Sequence, residues 1–156
     1  MKTHCLARIS SVLILSLLFM MVSALPGMKR ETQSLAASKY YKVQIKVGKK
    51  SFDAKLKKNK TTKQLVSRMP FTVKMKELNG NEKYHYFDDS FTTNAKTVKK
   101  IKAGDIKLYD DNCLVIFYKS FKSGYDYTDL GKITKTKGLA KALGKGNVKV
   151  KFKLKG

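Results

Sequence analysis

GDIKLYDDNCLVIFYKSFKSGYDYTDLGKI, residues 104–133, carries three apolar runs separated by turn signals. Gly104-Asp105 turns the chain into Ile106 to Tyr109, and Asp110-Asp111-Asn112 turns it again into Cys113 to Tyr118. That run is the most apolar segment here and reads as a buried strand. Thr128 to Ile133, after the loop around Gly124, reads as a third strand. Upstream, LNGNEKYHYF (residues 78–87) sets the turn signal Asn79-Gly80 before a strand from Lys83 to Phe87.

Outward from these blocks the pattern continues. Val43, Ile45 and Val47 alternate with Lys42, Gln44 and Lys46, and Gly48-Lys49 turns into Phe52, Ala54 and Leu56 on one face, a hairpin. Thr61 to Met69 reads as a short helix, with Thr61 and Gln64 at capping-box spacing and Pro70 as its stop. Phe71, Val73 and Met75 alternate again. Asp88 to Lys102 lacks periodicity and reads as a surface excursion. Gly138 to Leu143 forms a second short helix closed by Gly144, and Val148, Val150, Phe152 and Leu154 alternate with four lysines to the end. Short strands at close spacing with two short helices predict a mainly β chain, folded as a small closed or nearly closed barrel. Its matching terminal strands are expected to pair, which hides their edges.

Three blocks carry a resemblance: L-N-G-N-E-K-Y-x-Y at Leu78 to Tyr86, G-D-x-x-L-Y at Gly104 to Tyr109, and N-C-L-V-x-F-Y-x-S-F at Asn112 to Phe121. They resemble the bacterial cyclophilin-like fold proteins over roughly residues 40–155. The resemblance implies a cyclophilin-like β-barrel and leaves the substrate unassigned. One position departs: relatives look like S-Y-S-Y-T-R-[IL]-G where this chain has Gly124 to Gly131, so Asp129 replaces an arginine and reverses its charge. True cyclophilins isomerise X-Pro bonds with an arginine and an apolar aromatic pocket. This chain has no Phe-His-Arg motif, no tryptophan and no arginine in the expected strands. Prolyl isomerase-like or other unassigned enzyme activity in the same pocket is therefore the alternative, and a non-catalytic binding module the first reading.

Met1 to Arg8 is basic, Ile9 to Val22 is apolar, and Val22-Ser23-Ala24 places small residues at a cleavage site. Residues 1–24 read as a signal peptide, 25–38 as a flexible tether and 39–156 as the cyclophilin-like domain. The expected location is secreted or cell-envelope associated, in a bacterium, with no membrane span after cleavage. Cys113 is then the one remaining thiol and is expected as a buried hydrophobe without a disulfide.

The formal net charge is +23, from 34 basic and 11 acidic residues, nearly all of the excess lysine. Lysine lacks the planar fork that suits specific phosphate recognition, so it points to diffuse attraction to a polyanion. Lys42, Lys46, Lys149, Lys151, Lys153 and Lys155 form the expected stripe, with anionic cell-envelope polymers as partner. Nucleic acid is not the expected counter-charge, because RNP-like and arginine-rich segments are missing. Tyr84, Tyr86, Phe121, Tyr125 and Tyr127 are the pocket candidates for a small ligand or peptide. His85 should lie on the strand face opposite Tyr84 and Tyr86. With a lone histidine in the domain and acidic pairs confined to turns, no metal site, cofactor or catalytic residue is assigned.

Overall fold

The computed structural model describes residues 38–156. The signal peptide reading and the tether as far as residue 37 lie outside the described residues. Within them the alternating segments become β1 (Tyr40–Val47), β2 (Lys50–Lys57), α1 (Lys60–Ser67), β3 (Phe71–Leu78) and β4 (Glu82–Tyr86). There follow β5 (Lys96–Thr97), β6 (Lys100–Ile101), β7 (Asp105–Tyr109), β8 (Cys113–Phe117) and β9 (Phe121–Lys122). The chain ends with β10 (Asp126–Ile133), α2 (Leu139–Leu143) and β11 (Val148–Leu154).

Eight strands pair antiparallel in the order β2-β1-β11-β3-β4-β8-β7-β10, and β10 pairs back onto β2. The result is a closed barrel. Its terminal strands are neighbours, with Val43 across from Leu154 and Val47 across from Val150. The inward residues of period two, among them Val43, Ile45, Phe52, Leu56, Met75, Ile106, Leu114, Ile116 and Phe152, form one buried cluster. Leu65 of α1 and Leu139 and Leu143 of α2 join it. The interior is packed with side chains.

Closure depends on one backbone approach. β10 bulges between Asp129 and Gly131, and Gly131 then stands opposite Leu56 of β2. Its φ of +145° belongs to a region that side chains avoid. A Cβ there would sit 2.8 Å from the Leu56 Cα and overlap the Lys55 carbonyl, both of them backbone.

Two local expectations are corrected. α1 begins at Lys60, and its capping box joins Asn59 to Thr62 instead of Thr61 to Gln64. The Asn59 side chain accepts from Thr62 N–H at 2.8 Å, and Thr62 Oγ1 accepts from Asn59 N–H at 3.1 Å. Thr61 and Gln64 serve elsewhere: Thr61 donates to the Thr92 carbonyl at 2.5 Å, and Gln64 accepts from Thr92 N–H at 2.8 Å. Both pin the excursion onto the helix. The excursion also contains strands. β5 pairs with β10 and β6 with β9, each too short for alternation to reveal it.

That excursion builds a second cluster outside the barrel. Ile101, Cys113, Val115, Phe117 and Tyr127 are buried together, with Tyr84, Val98 and Phe121 packed on them. All five residues of β8 are therefore buried, even-numbered ones inward and odd-numbered ones outward.

The interior also holds an ammonium. Lys83 is fully buried and lies across the β3–β4 ladder from Glu77, with which it is ion-paired. Its Nζ also donates to the Gly146 carbonyl at 2.6 Å, and Tyr118 donates to Glu77 Oε1 at 2.7 Å. Burial raises the Glu77 carboxyl, but hydrogen bonds from Lys83 and Tyr118 outweigh it and hold the group below its usual range.

Two outcomes follow from these constraints. Gly131→Ala should cost on the order of 3 kcal/mol or more, since it combines a forbidden φ with overlap on immovable backbone; urea denaturation measures it. Glu77→Gln should cost about 3 kcal/mol by stranding the buried Lys83 ammonium, and adding Lys83→Met should recover most of the loss. Recovery distinguishes a buried-charge penalty from simple loss of packing.

Candidate functional site

Alternation along β4 sends Glu82, Tyr84 and Tyr86 to the outer face, where register sets them against Phe117, Val115 and Cys113 of β8. Next across the sheet come Tyr109 of β7, opposite Cys113, and Tyr127 of β10, opposite Tyr109. Tyr125 precedes β10. These side chains, with Leu78 and Asn79 of the β3–β4 turn, line a hollow of about 320 Å³ on the outside of the barrel wall. Four strands converge on it. The barrel interior, being full, offers no such space.

Four of the five pocket candidates, Tyr84, Tyr86, Tyr125 and Tyr127, meet in this hollow. Phe121 does not. It pairs with Ile101 in the β6–β9 ladder and packs against Phe117, ring centroids 5.7 Å apart, beneath the excursion. His85 faces the barrel side of β4, opposite Leu114, with its ring edge-on to Phe87 at 5.0 Å. Cys113 forms part of the floor; burial pushes its thiol up to about 11, which keeps it protonated. Arg68 lies elsewhere, 4.1 Å over the Phe91 ring and 3.7 Å from Asp89.

Tyr109 and Glu82 are polar-tipped and charged members of the hollow that are missing from the sequence-based pocket candidates. Tyr109 becomes visible only once β7 is known to neighbour β10. Glu82 shares the parity of Tyr84 and Tyr86, and that alternation was the available signal. It is 8 % exposed. Burial raises its carboxyl to about 7, with the neighbouring Glu77 charge adding to the effect, and no hydrogen bond opposes either. Among the described residues, no lysine or arginine lines the hollow.

Asp129 faces a different space. A polar hollow of about 640 Å³ lies on the other side of Tyr127, lined by residues that include Lys57, Asn59, Thr92, Lys107 and Asp129. Lys107 is 7 % exposed, with Asp129 Oδ1 at 3.4 Å and Asp105 Oδ2 at 3.8 Å from its Nζ. Asp129 also pairs with Lys57, whose pKa rises chiefly through that hydrogen bond. The acid thus joins two lysines, one of them buried. An arginine there would gather three cations.

The lysine stripe forms on the far wall. β1 and β11 stand across the circuit from β8 and β7. Lys46 lies directly opposite Lys151, and Lys149 opposite Lys74 of β3. Lys46, Lys151 and Lys153 line a shallow hollow of about 200 Å³ with Gln44. Lys42 and Lys155 meet through the backbone, Lys155 N–H donating to the Lys42 carbonyl at 2.9 Å. One acid interrupts the stripe: Asp53 of β2 binds Lys155 Nζ at 2.9 Å. Among the described residues, no cluster of three or more His, Cys, Asp and Glu side chains could hold a metal, and no helix is long and apolar enough to cross a membrane.

The model of the cyclophilin-like family matches residues 45–153, which spans the circuit from β1 into β11. The chain belongs to the cyclophilin-like family. The solution structure of a hypothetical protein from Archaeoglobus fulgidus superposes with a TM-score of 0.56 at 12 % identity. The match covers 76 % of this chain and 97 % of that one, and at this identity it speaks for the fold alone. None of the curated proteins matches the chain.

Glu82→Gln tests the electrostatics of the hollow. A carboxyl raised from 4.5 to about 7 penalises the folded state once it ionises above pH 7, and not below its unfolded value. Stability of the native protein should therefore fall between about pH 4.5 and 7, by about 3 kcal/mol. The variant should be more stable than the parent at pH 8, and the gain should vanish near pH 4. Thermal denaturation across this range reads both.

Proposed function

We propose that this cyclophilin-like barrel is a non-catalytic binding module with two working faces. The tyrosine-lined hollow takes a small ligand or peptide end, and the lysine wall associates with an anionic polymer of the cell envelope. The observation that carries the reading is the placement of the two surfaces: an aromatic hollow to which the described residues contribute no basic side chain, across a closed barrel from a wall of lysines. A packed interior leaves the outer wall as the place for a ligand. The reading of residues 1–24 as an export signal supplies the envelope as the setting.

The lysine wall supports the polymer half energetically. Like charges set directly opposite on a sheet destabilise it, by a few tenths of a kcal/mol to about 1 kcal/mol per pair. Lys46 with Lys151 and Lys149 with Lys74 are two such pairs. A surface kept at that cost has a use for dense positive charge, which a solubilising coat does not require. The isomerase alternative draws no support from the hollow, since no arginine of the described residues lines it.

Co-sedimentation with isolated bacterial envelopes tests the polymer half. Retention should weaken steadily with added salt, and Lys149→Gln, Lys151→Gln and Lys153→Gln together should reduce it while slightly raising thermal stability at low salt. Salt-insensitive retention, unchanged in the triple variant, would assign no role to the wall. For the hollow, a fragment screen read by tyrosine-resolved NMR should return compounds that shift Tyr84 and Tyr127. A screen that shifts neither would remove the ligand half.

A further inference from the structure

Five tyrosines, Tyr84, Tyr86, Tyr109, Tyr125 and Tyr127, wall the outer hollow. Tyr84 and Tyr86 meet at 79° with centroids 5.8 Å apart, and Tyr109 and Tyr125 meet at 84° and 6.4 Å. Tyr127 tilts against Tyr109 at 58° and 5.7 Å. Edge-to-face contact at these spacings is an ordinary way for aromatic rings to pack, and it turns the tyrosines so that ring faces as well as edges are presented along the hollow. Ring faces are electron-rich, and a cation set within about 6 Å of several of them is attracted by each.

Charge points the same way. Among the described residues Glu82 is the one ionisable acid or base of the lining, tyrosines and the buried Cys113 aside; it is 8 % exposed, and no protein donor there hydrogen-bonds it. An anionic ligand would face that carboxyl with no lysine of this lining to offset it. A neutral one would leave the ionised carboxyl without a counter-charge. Resting on the reading of this hollow as a ligand site, we propose that its ligand carries an organic ammonium group, enclosed by tyrosine faces with Glu82 as counter-ion. The excess of lysine does not forbid this. The stripe lies on the far wall, at least the roughly 10 Å of packed sheets away, and fields fade over about 8 Å at physiological salt.

Ligand and proton then compete for Glu82. The titratable groups about it are Glu77 of β3, Tyr84 and Tyr86 on its own strand, Cys113 and Tyr118 from β8 and just after it, and Tyr109, Tyr125 and Tyr127 from β7 and β10. Lys83 and His85 lie on the opposite face of β4. Burial first, and neighbouring acids second, push Tyr127 and Tyr118 up to about 12, so those phenols stay neutral. Ammonium affinity should therefore rise with pH through about 7, as Glu82 ionises.

The test compares choline with its neutral carbon isostere, dimethylbutanol, by NMR titration of the full chain. At pH 8 choline should shift Tyr84 and Tyr127 and bind about tenfold more tightly than the isostere. Glu82→Gln should remove most of that preference and flatten the rise in choline affinity between pH 6 and 8. Equal affinities, a preference that survives Glu82→Gln, or no choline binding would each overturn the proposal. If the isostere or another neutral fragment binds the hollow while choline does no better, the ligand site stands and only its cationic class falls. If nothing binds there, both fall.

Discussion

The contact of two backbones at Gly131 holds the architecture together. Closing β10 onto β2 requires a residue without a side chain, because the Lys55 carbonyl and the Leu56 Cα occupy the space a Cβ would need. The bulge just before it turns β10 so that Tyr125 and Tyr127 reach the outer hollow while Asp129 reaches Lys57 and Lys107. One glycine thus seals the barrel and aims the strand that supplies both neighbouring spaces. This gives the final residue of the family-like S-Y-S-Y-T-R-[IL]-G block a purely steric role. Two positions before it, Asp129 is matched to its surroundings by Lys57 and Lys107.

Closure also explains why the two surfaces differ so much. A sealed, filled barrel cannot host a ligand inside, so each strand's outward residues decide what its wall does. On β1 and β11 those residues are lysines, solvated and opposed across the ladder. On β4 and β8, at Tyr109 of β7 and at Tyr127 of β10 they are mainly aromatic and aliphatic, with Glu82 among them, while Lys107 and Asp129 face the polar hollow, and β6 and β9 bury part of the apolar set as a second core. The hollow is the part left uncovered. Its carboxyl therefore sits in an apolar setting that shifts it toward neutrality, whereas Asp53 on the lysine side meets an ammonium and solvent.

Much of this was legible before the structure. Period-two alternation revealed the inward faces of β1, β2, β3 and β11, and matching terminal patterns anticipated the pairing of β1 with β11. Burial of Cys113 followed from its apolar run. Other features depend on pairing that no local pattern carries. Phe121 looked like Tyr125 and Tyr127 in sequence, but the two-residue ladder with Ile101 takes it beneath the excursion. Glu82 shares the parity of Tyr84 and Tyr86, but its burial shows only once β8 and β10 bring their aromatic residues over it. Lys83 is buried against all expectation for its type, although the Asn79-Gly80 turn fixed the register that places it opposite Glu77. The side chains that were misjudged are those whose environment is built by residues distant in the chain.

One closed barrel presents two separate surfaces, an aromatic hollow on β4, β8, β7 and β10 and a lysine wall on β1 and β11. Amide-resolved NMR of the full chain tests it directly, with choline and a short polyphosphate added singly and then together. The account predicts two disjoint sets of shifted amides, Glu82 to Tyr86 with Cys113 and Tyr127 for the first ligand, and β1 with β11 for the second. Each set should be unaffected by saturation of the other. Overlapping sets, or displacement of one ligand by the other, would contradict it.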